Sequence, residues 1–317
     1  MKNVRLILIA LMLITALGSL FADNSAAVYT RIGIDARSVG MGGTGAAFLD
    51  NVTATYINPA VLADVKRIEF SSATRQNMEW DKNQHAAALG FKLPYGYVAL
   101  SWQNAHTSDF QGYNADGTAS DKFSVGDHNL GVSFAASFSR FNFGITPRLY
   151  MSNIEDESTT GYGVDLGFLY HINRYFNFGF AARDVISDYD GEGTEVSRVF
   201  IPSIAAFPIP GLTIAADLIG VEDFDEPQLR LGAEYWIGVG DEADMGSSLS
   251  GIRVRESSTW SDIMSKTQAG IRGGVNDGAF TAGFGLRFQM LELNYAYQVA
   301  KEEFTNDHHT YSLLLRF

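Results

Sequence analysis

The sequence predicts an all-β fold: a transmembrane antiparallel β-barrel closed by a last strand that runs to the C-terminal Phe317. Three observations predict it. The chain opens on an export signal, strand-length segments alternate apolar and polar residues from about Lys66 onward, and the connections alternate between short and long.

The N-terminus decides the compartment. Lys2 and Arg5 precede an apolar run, Leu6 to Leu17, broken only by Thr15, and Gly18, Ser19 and Ala22 then supply small residues. That is the layout of a secretory signal peptide over residues 1–22, cleaved after Ala22. The run is shorter than the roughly 20 apolar residues of a spanning helix, and no later stretch approaches that length. There is no Cys, so an exported chain of this kind is not built on disulfides. A net charge of −13 argues against nucleic acid, whose phosphates call for a basic face. The expected location is the outer membrane of a diderm bacterium, with outer-membrane lipid and the barrel assembly machinery as partners.

A period of two marks the strands, because successive side chains point to opposite faces of a sheet. Phe280, Ala282, Phe284, Leu286 and Phe288 form one apolar row, opposed by Thr281, Gly283, Gly285 and Arg287. After a tight turn Leu291, Leu293, Tyr295, Tyr297 and Val299 alternate with Glu292, Asn294, Ala296 and Gln298. The same grammar runs through Leu130–Phe138, Phe141–Leu149, Tyr162–Tyr170 and Phe176–Phe180. The second face is mostly Gly, Ser and Ala, with isolated charges of both signs: Arg148, Arg183, Arg230 and Arg287 beside Asp165, Asp217, Glu234 and Glu292. Such a face suits a crowded lumen in which opposite charges pair. A soluble sandwich would carry Lys, Glu and Thr on its outer faces. Aromatics at segment ends (Tyr95, Tyr97, Tyr170, Tyr175, Tyr235, Trp236) fit interfacial girdles. Lipid tolerates no unpaired backbone group, so the sheet must close.

Short turns are expected at Pro94–Gly96, Ser139–Arg140, Asn173–Arg174, Pro208–Gly211 and Gln289–Met290. Longer polar connections are expected at Thr107–Val125, Asn153–Thr160, Ile186–Ser197, Gly220–Pro227 and Lys301–Asp307. Counting segments gives about fourteen strands, an even number that leaves both ends of the barrel on the periplasmic side. Residues 238–265 break the parity: a long polar stretch stands where a short periplasmic turn belongs, and it reads as an insertion or an extra hairpin through Ile252–Val254. Tyr311, Leu313, Leu315 and Phe317 share one face of the last strand, so the terminal aromatic belongs to the lipid-facing row.

Residues 23–65 do not alternate. They contain Arg37-Ser38-Val39-Gly40-Met41-Gly42-Gly43, then Asn58-Pro59-Ala60-Val61-Leu62. This resembles the N-terminal signature of the FadL-like outer-membrane proteins, and within them the PorV/PorQ group. Leu231–Trp236, Asn294–Tyr297 and the closing Thr310–Phe317 also look like that group. The resemblance implies that residues 23–65 fold as a hatch inside the barrel formed by 66–317, with Arg37, Gly40, Gly42, Gly43, Asn58, Pro59 and Ala60 as its motif. It also implies that the Tyr311–Phe317 row is an insertion signal. Two features depart from it: Val61 stands where the family has Gly, and the 238–265 stretch is long.

Several motifs invite another chemistry and fail on context. Gly40-Met41-Gly42-Gly43-Thr44-Gly45 matches G-x-G-x-x-G, but no hydrophobic strand precedes it and Asn58-Pro59 interrupts any long helix after it. His308 and His309 are adjacent on a strand and point to opposite faces. Asp188–Glu192 lacks the spacing of a calcium loop, and Glu222–Glu226 reads as a solvated acidic loop. No catalytic residue, cofactor or metal is expected. The PorV/PorQ resemblance implies a barrel that serves protein export or surface attachment by binding secretion-system proteins. The alternative is a FadL-type channel that takes up hydrophobic small molecules, and a barrel enzyme is a distant third. Small residues and paired charges on the inward face favour partner binding over a hydrophobic pocket.

Overall fold

The computed structural model describes residues 26–76, 82–113, 116, 118–154, 157–189, 196–222, 227–238, 267–300 and 306–317. The expected signal peptide, nearly all of the 238–265 stretch and most of the two acidic loops lie outside the described residues.

Fourteen strands follow one another around a closed antiparallel barrel. They are β1 (Glu69–Gln76), β2 (Asn83–Leu93), β3 (Gly96–Tyr113), β4 (Ala119–Phe138) and β5 (Phe141–Ile154). Next come β6 (Glu157–Asn173), β7 (Phe176–Tyr189), β8 (Val199–Ala206), β9 (Leu212–Val221) and β10 (Gln228–Gly238). The last four are β11 (Thr267–Asn276), β12 (Ala279–Phe288), β13 (Leu291–Gln298) and β14 (His308–Arg316). The seam closes between β1 and β14, from Glu69 opposite Arg316 to Gln76 opposite His309. Phe317 adds a last bond, its N–H donating to the Ile68 carbonyl at 2.8 Å. Among the described residues no helix is long and apolar enough to cross a membrane.

The apolar rows face outward. Phe134, Phe143, Ile145, Leu231, Ile271 and Phe284 are exposed, while their neighbours Ser133, Asn142, Thr146 and Arg272 are buried inside. Tyr311 and Phe317 are exposed on the outer face, with Leu314 buried between them. Ile271 stands near mid-belt, so Ile271→Arg is expected to lower stability by about 2–4 kcal/mol, read from denaturant unfolding in lipid vesicles. An unchanged midpoint would place this row elsewhere than in lipid.

Tight turns close one end, at Pro94–Tyr95, Ser139–Arg140, Arg174–Tyr175 and Gln289–Met290. At the opposite end Asp277 and Gly278 both have positive φ (48° and 89°), the geometry of a type I′ hairpin turn. That short turn stands where parity calls for a long loop.

Three expected loops are corrected. The Thr107–Val125 connection is largely ladder, for β3 and β4 pair as far as Tyr113 opposite Ala119. Asn153–Thr160 is also ladder, to Ile154 opposite Glu157, and β7 continues past Ile186 to Tyr189. These strands have 18, 20, 14, 17 and 14 residues from β3 to β7. Crossing a bilayer takes about 9–11. The surplus stands in water on both faces, so hydropathy has no reason to alternate there.

One wall irregularity shapes the interior. Between β6 and β7 the register steps from Leu166 opposite Ala182 to Val164 opposite Ile186, and Asp184 has a φ of 54°. This bulge leaves Arg183 and the adjacent Asp184 both buried, which simple alternation forbids.

Candidate functional site

The lumen is the site, and residues 26–65 lie within it. The segment is a chain of short pieces: 3-10 turns at Val28–Arg31, Val52–Tyr56 and Pro59–Asp64, and a five-residue helix α1 at Ala36–Gly40. Each later piece starts on a side-chain cap. Asp35 accepts from the Ser38 N–H, Asn51 from Thr53 and Asn58 from Ala60, with Pro59 in the first turn. Burial pushes the Asp35 carboxyl above its usual range, against the stabilising Ser38 N–H.

Glycines on both partners allow the contact. Gly42 has a φ of 72°, and a Cβ there would overlap the Leu231 and Val275 carbonyl oxygens of the wall. Facing glycines answer it: a Cβ at Gly232 would strike Met41, and one at Gly274 the Met41–Gly42 peptide. On the other side of the lumen Gly144 and Gly167 lie against Asn58, Pro59 and Ala60. Asn58 adds two donor bonds, to the Ala46 carbonyl at 2.6 Å and the Phe168 carbonyl at 3.2 Å.

The expected wall charges all face inward, and two kinds of use appear. Arg148 pairs with Asp165 at 2.5 Å and also donates to the Thr55 carbonyl at 2.7 Å. Arg287 meets Glu292 at 2.9 Å. Asp217 and Arg230, opposite each other in the ladder, grip segment backbone instead: Asp217 accepts from the N–H groups of Gly45 and Ala46, and Arg230 donates to the Gly43 carbonyl. Arg183 donates to the Thr30 carbonyl at 3.1 Å and lies 3.7 Å from Asp165. Lumen charges therefore hold the segment as often as they hold one another.

Glu234 is the centre of the larger network. Its carboxylate takes Arg37 of the segment at 2.7 Å and Arg272 of β11 at 2.6 Å. Arg37 also reaches Asp50 at 2.6 Å. Burial opposes its charge, but Glu234 and Asp50 together hold its guanidinium proton far above the usual range. Beyond it Arg316 bridges Glu292 at 2.7 Å and Glu69 at 3.1 Å. Trp236 lies between two guanidiniums, 4.1 Å from Arg287 and 5.0 Å from Arg272. Arg272, Arg316, Glu69 and Asp50 are absent from the sequence-based set, as are Asp184 and Tyr150, whose hydroxyl donates to Asp184. Glu69, Arg272 and Arg316 occupy inward parity on their strands, a signal that was present. Asp50 lies in irregular chain and Asp184 on a bulge, where parity gives none.

The interior is more apolar than the wall alone suggests. Met41, Phe48, Leu49, Val52 and Leu62 of the segment are buried against wall alanines, among them Ala73, Ala86, Ala88, Ala99 and Ala135. A second cluster joins Ala46 to Ile201 and Ile219. A narrow crevice runs between segment and wall, lined by Ile34, Asp35, Tyr56, Ala73, Ala86 and Ala88. Among the described residues no group of His, Asp and Glu is placed to hold a metal ion.

No protein-family model matches the chain, and no curated protein sequence matches it. Solved structures do. The toluene transporter TbuX of Ralstonia pickettii is 13% identical, with a TM-score of 0.56 over 90% of this chain and 98% of the transporter. A deletion mutant of the monoaromatic hydrocarbon channel TodX is 12% identical, with a TM-score of 0.59 over 90% and 99%. The monoaromatic hydrocarbon channel CymD is 12% identical, with a TM-score of 0.54 over 90% and 98%. At such identities the likeness is one of fold.

Proposed function

We propose that this chain is an outer-membrane channel for hydrophobic small molecules, the FadL-type activity, with residues 23–65 as its hatch and residues 1–22 as a cleaved export signal. The observation that carries the reading is the apolar seam between hatch and wall. Ile34 and Tyr56 meet Ala73, Ala86 and Ala88 in a closely packed contact that Asp35, Thr53 and Ser71 also line. In this reading the hatch shifts to admit a hydrocarbon along that contact, which is closed at rest. Likeness in fold to transporters and channels of toluene and other monoaromatic hydrocarbons supports the same reading. In this reading the barrel performs no catalysis, and the Tyr311, Leu313, Leu315 and Phe317 row serves recognition by the assembly machinery.

Protein export through partner binding, which the PorV/PorQ resemblance implies, has one observation in its favour: β3 to β7 extend well past the membrane and offer surface to a partner. Uptake separates the two readings. Cells expressing the protein are expected to accumulate labelled toluene faster than cells without it, and Ala88→Trp, which fills the seam, is expected to abolish the gain. Equal uptake in all three strains, with secretion proteins co-purifying from solubilised membranes, would replace the channel by the export reading.

A further inference from the structure

We infer that one arc of the outer surface, on β14 and β1 to β4, binds the phosphate of a membrane lipid headgroup. Four of the chain's six histidines lie on it: His85, His106, His128 and His309. Each faces outward, since the adjoining Gln84, Ala105, Asn129 and Thr310 are buried inside. All four stand roughly eight to ten residues from the turn-side end of their strands, the level at which a strand of about 9–11 residues leaves the bilayer. Amides continue the same rim. His309 is opposite Gln76, and Asn104 lies between His85 and His128 in the ladder. At this height β5, β7, β10 and β12 present apolar side chains outward instead, Leu149, Ile186, Leu229 and Phe280.

The chemistry of this arc is that of directed donors. An indole N–H can only donate, so in the 3.3 Å bond from Trp102 Nε1 to His128 Nδ1 the imidazole nitrogen accepts. Neutral His128 therefore carries its proton on Nε2 and presents it away from the tryptophan. The two rings stack at 6.2 Å. His309 has its Nδ1 2.8 Å from the Tyr295 hydroxyl, which can donate or accept, and its ring 5.3 Å from that of Tyr297.

Charge selects the ligand. The chain carries −13, yet from the turn side to the bulge beyond Thr107 the outward rows of these five strands hold no Asp or Glu. Away from Asp307, which accepts from Tyr297 beside His309, a phosphate finds here N–H donors at the depth where headgroups lie and on a surface continuous with the lipid-facing belt. Ordinary interfacial girdles are tyrosine and tryptophan. Here Trp102, Tyr295 and Tyr311 lie nearer the turn side on the same outward rows, and the imidazoles take the interfacial positions.

Native mass spectrometry of the detergent-purified protein tests the inference, with phosphatidic acid as probe and diacylglycerol as its phosphate-free counterpart. Wild type is expected to retain phosphatidic acid and not diacylglycerol. His85→Leu, His106→Leu and His128→Leu combined are expected to weaken retention about tenfold, the effect of losing two or three hydrogen bonds. The milder His85→Leu, His106→Leu pair leaves the Trp102 contact intact and guards against a folding defect. Equal retention of both lipids, or wild-type retention of phosphatidic acid by a folded variant, overturns the inference. A wild-type dimer that the triple variant renders monomeric also overturns it, because the arc would then be a contact between copies.

Discussion

Glu234→Ala is expected to lower stability by about 3–5 kcal/mol and to free the N-terminal segment from the wall, because one carboxylate neutralises two buried guanidiniums. Arg272 loses its shortest ion pair, and Arg37 loses the 2.7 Å pair that ties it to the wall. Arg37 keeps only Asp50, and Arg272 keeps Glu292 at 4.0 Å. Neither can move to water, since the side chain of Arg272 is fully buried and that of Arg37 nearly so. Two measurements check this: the denaturant midpoint in vesicles, and protease protection of residues 26–65 in the assembled barrel. Both are expected to fall. A wild-type midpoint with intact protection would show that the segment is held by packing alone. Exchanging the charges, Arg37→Glu with Glu234→Arg, is not expected to rescue, because it places a second guanidinium beside Arg272.

Gly144→Val and Gly167→Val are expected to displace the Asn58–Ala60 turn, at about 1–3 kcal/mol each and more in combination. A Cβ at either position meets backbone or capping atoms rather than the end of a flexible side chain: Pro59 and Ala60 at Gly144, Asn58 and Ala60 at Gly167. The turn has no room to retreat, for Val61 and Leu62 behind it are buried to 1% and 0% exposure. Gly273→Ala is the matched control, with its nearest neighbour 3.9 Å from the new Cβ. Toluene uptake and protease protection read the outcome together. If the two valine variants match the Gly273→Ala control in both, the wall glycines are not what seats the segment.

The barrel was legible in the sequence because a bilayer imposes two different solvents on alternate side chains. Phe280–Phe288 and Leu291–Val299 declare this in a few residues, and their turn at Gln289–Met290 is where the sequence places it. Legibility stopped where that contrast stops. Above the membrane Phe110 and Phe123 stack at 5.5 Å across a strand pair that reads as loop, because water bathes both of its faces. Inside the lumen, charge parity located Glu234 and the Arg148–Asp165 and Arg287–Glu292 pairs, but not the partners of Glu234. Glu234 finds Arg37 at a separation of 197 residues, and the strand pattern of β10 carries no trace of a residue in the irregular segment. The apolar interior was hidden for the same reason: the wall contributes alanines and glycines, and the bulk comes from Met41, Phe48 and Leu49, outside any strand.

The seam between β1 and β14 has a consequence for biogenesis. Its bonds join residues as far apart as Glu69 and Arg316, a separation of 247. Local hairpins gain their contacts early, whereas so distant a pairing forms late. Residues 26–65 meanwhile touch the wall all the way round, from β1 to β14, with wall glycines packed closely against segment backbone. A finished cylinder leaves no clearance for a tethered chain to thread through and then settle into such contacts. The expected order of events is that the curved sheet gathers around the seated segment, and that the first and last strands pair once it is in place.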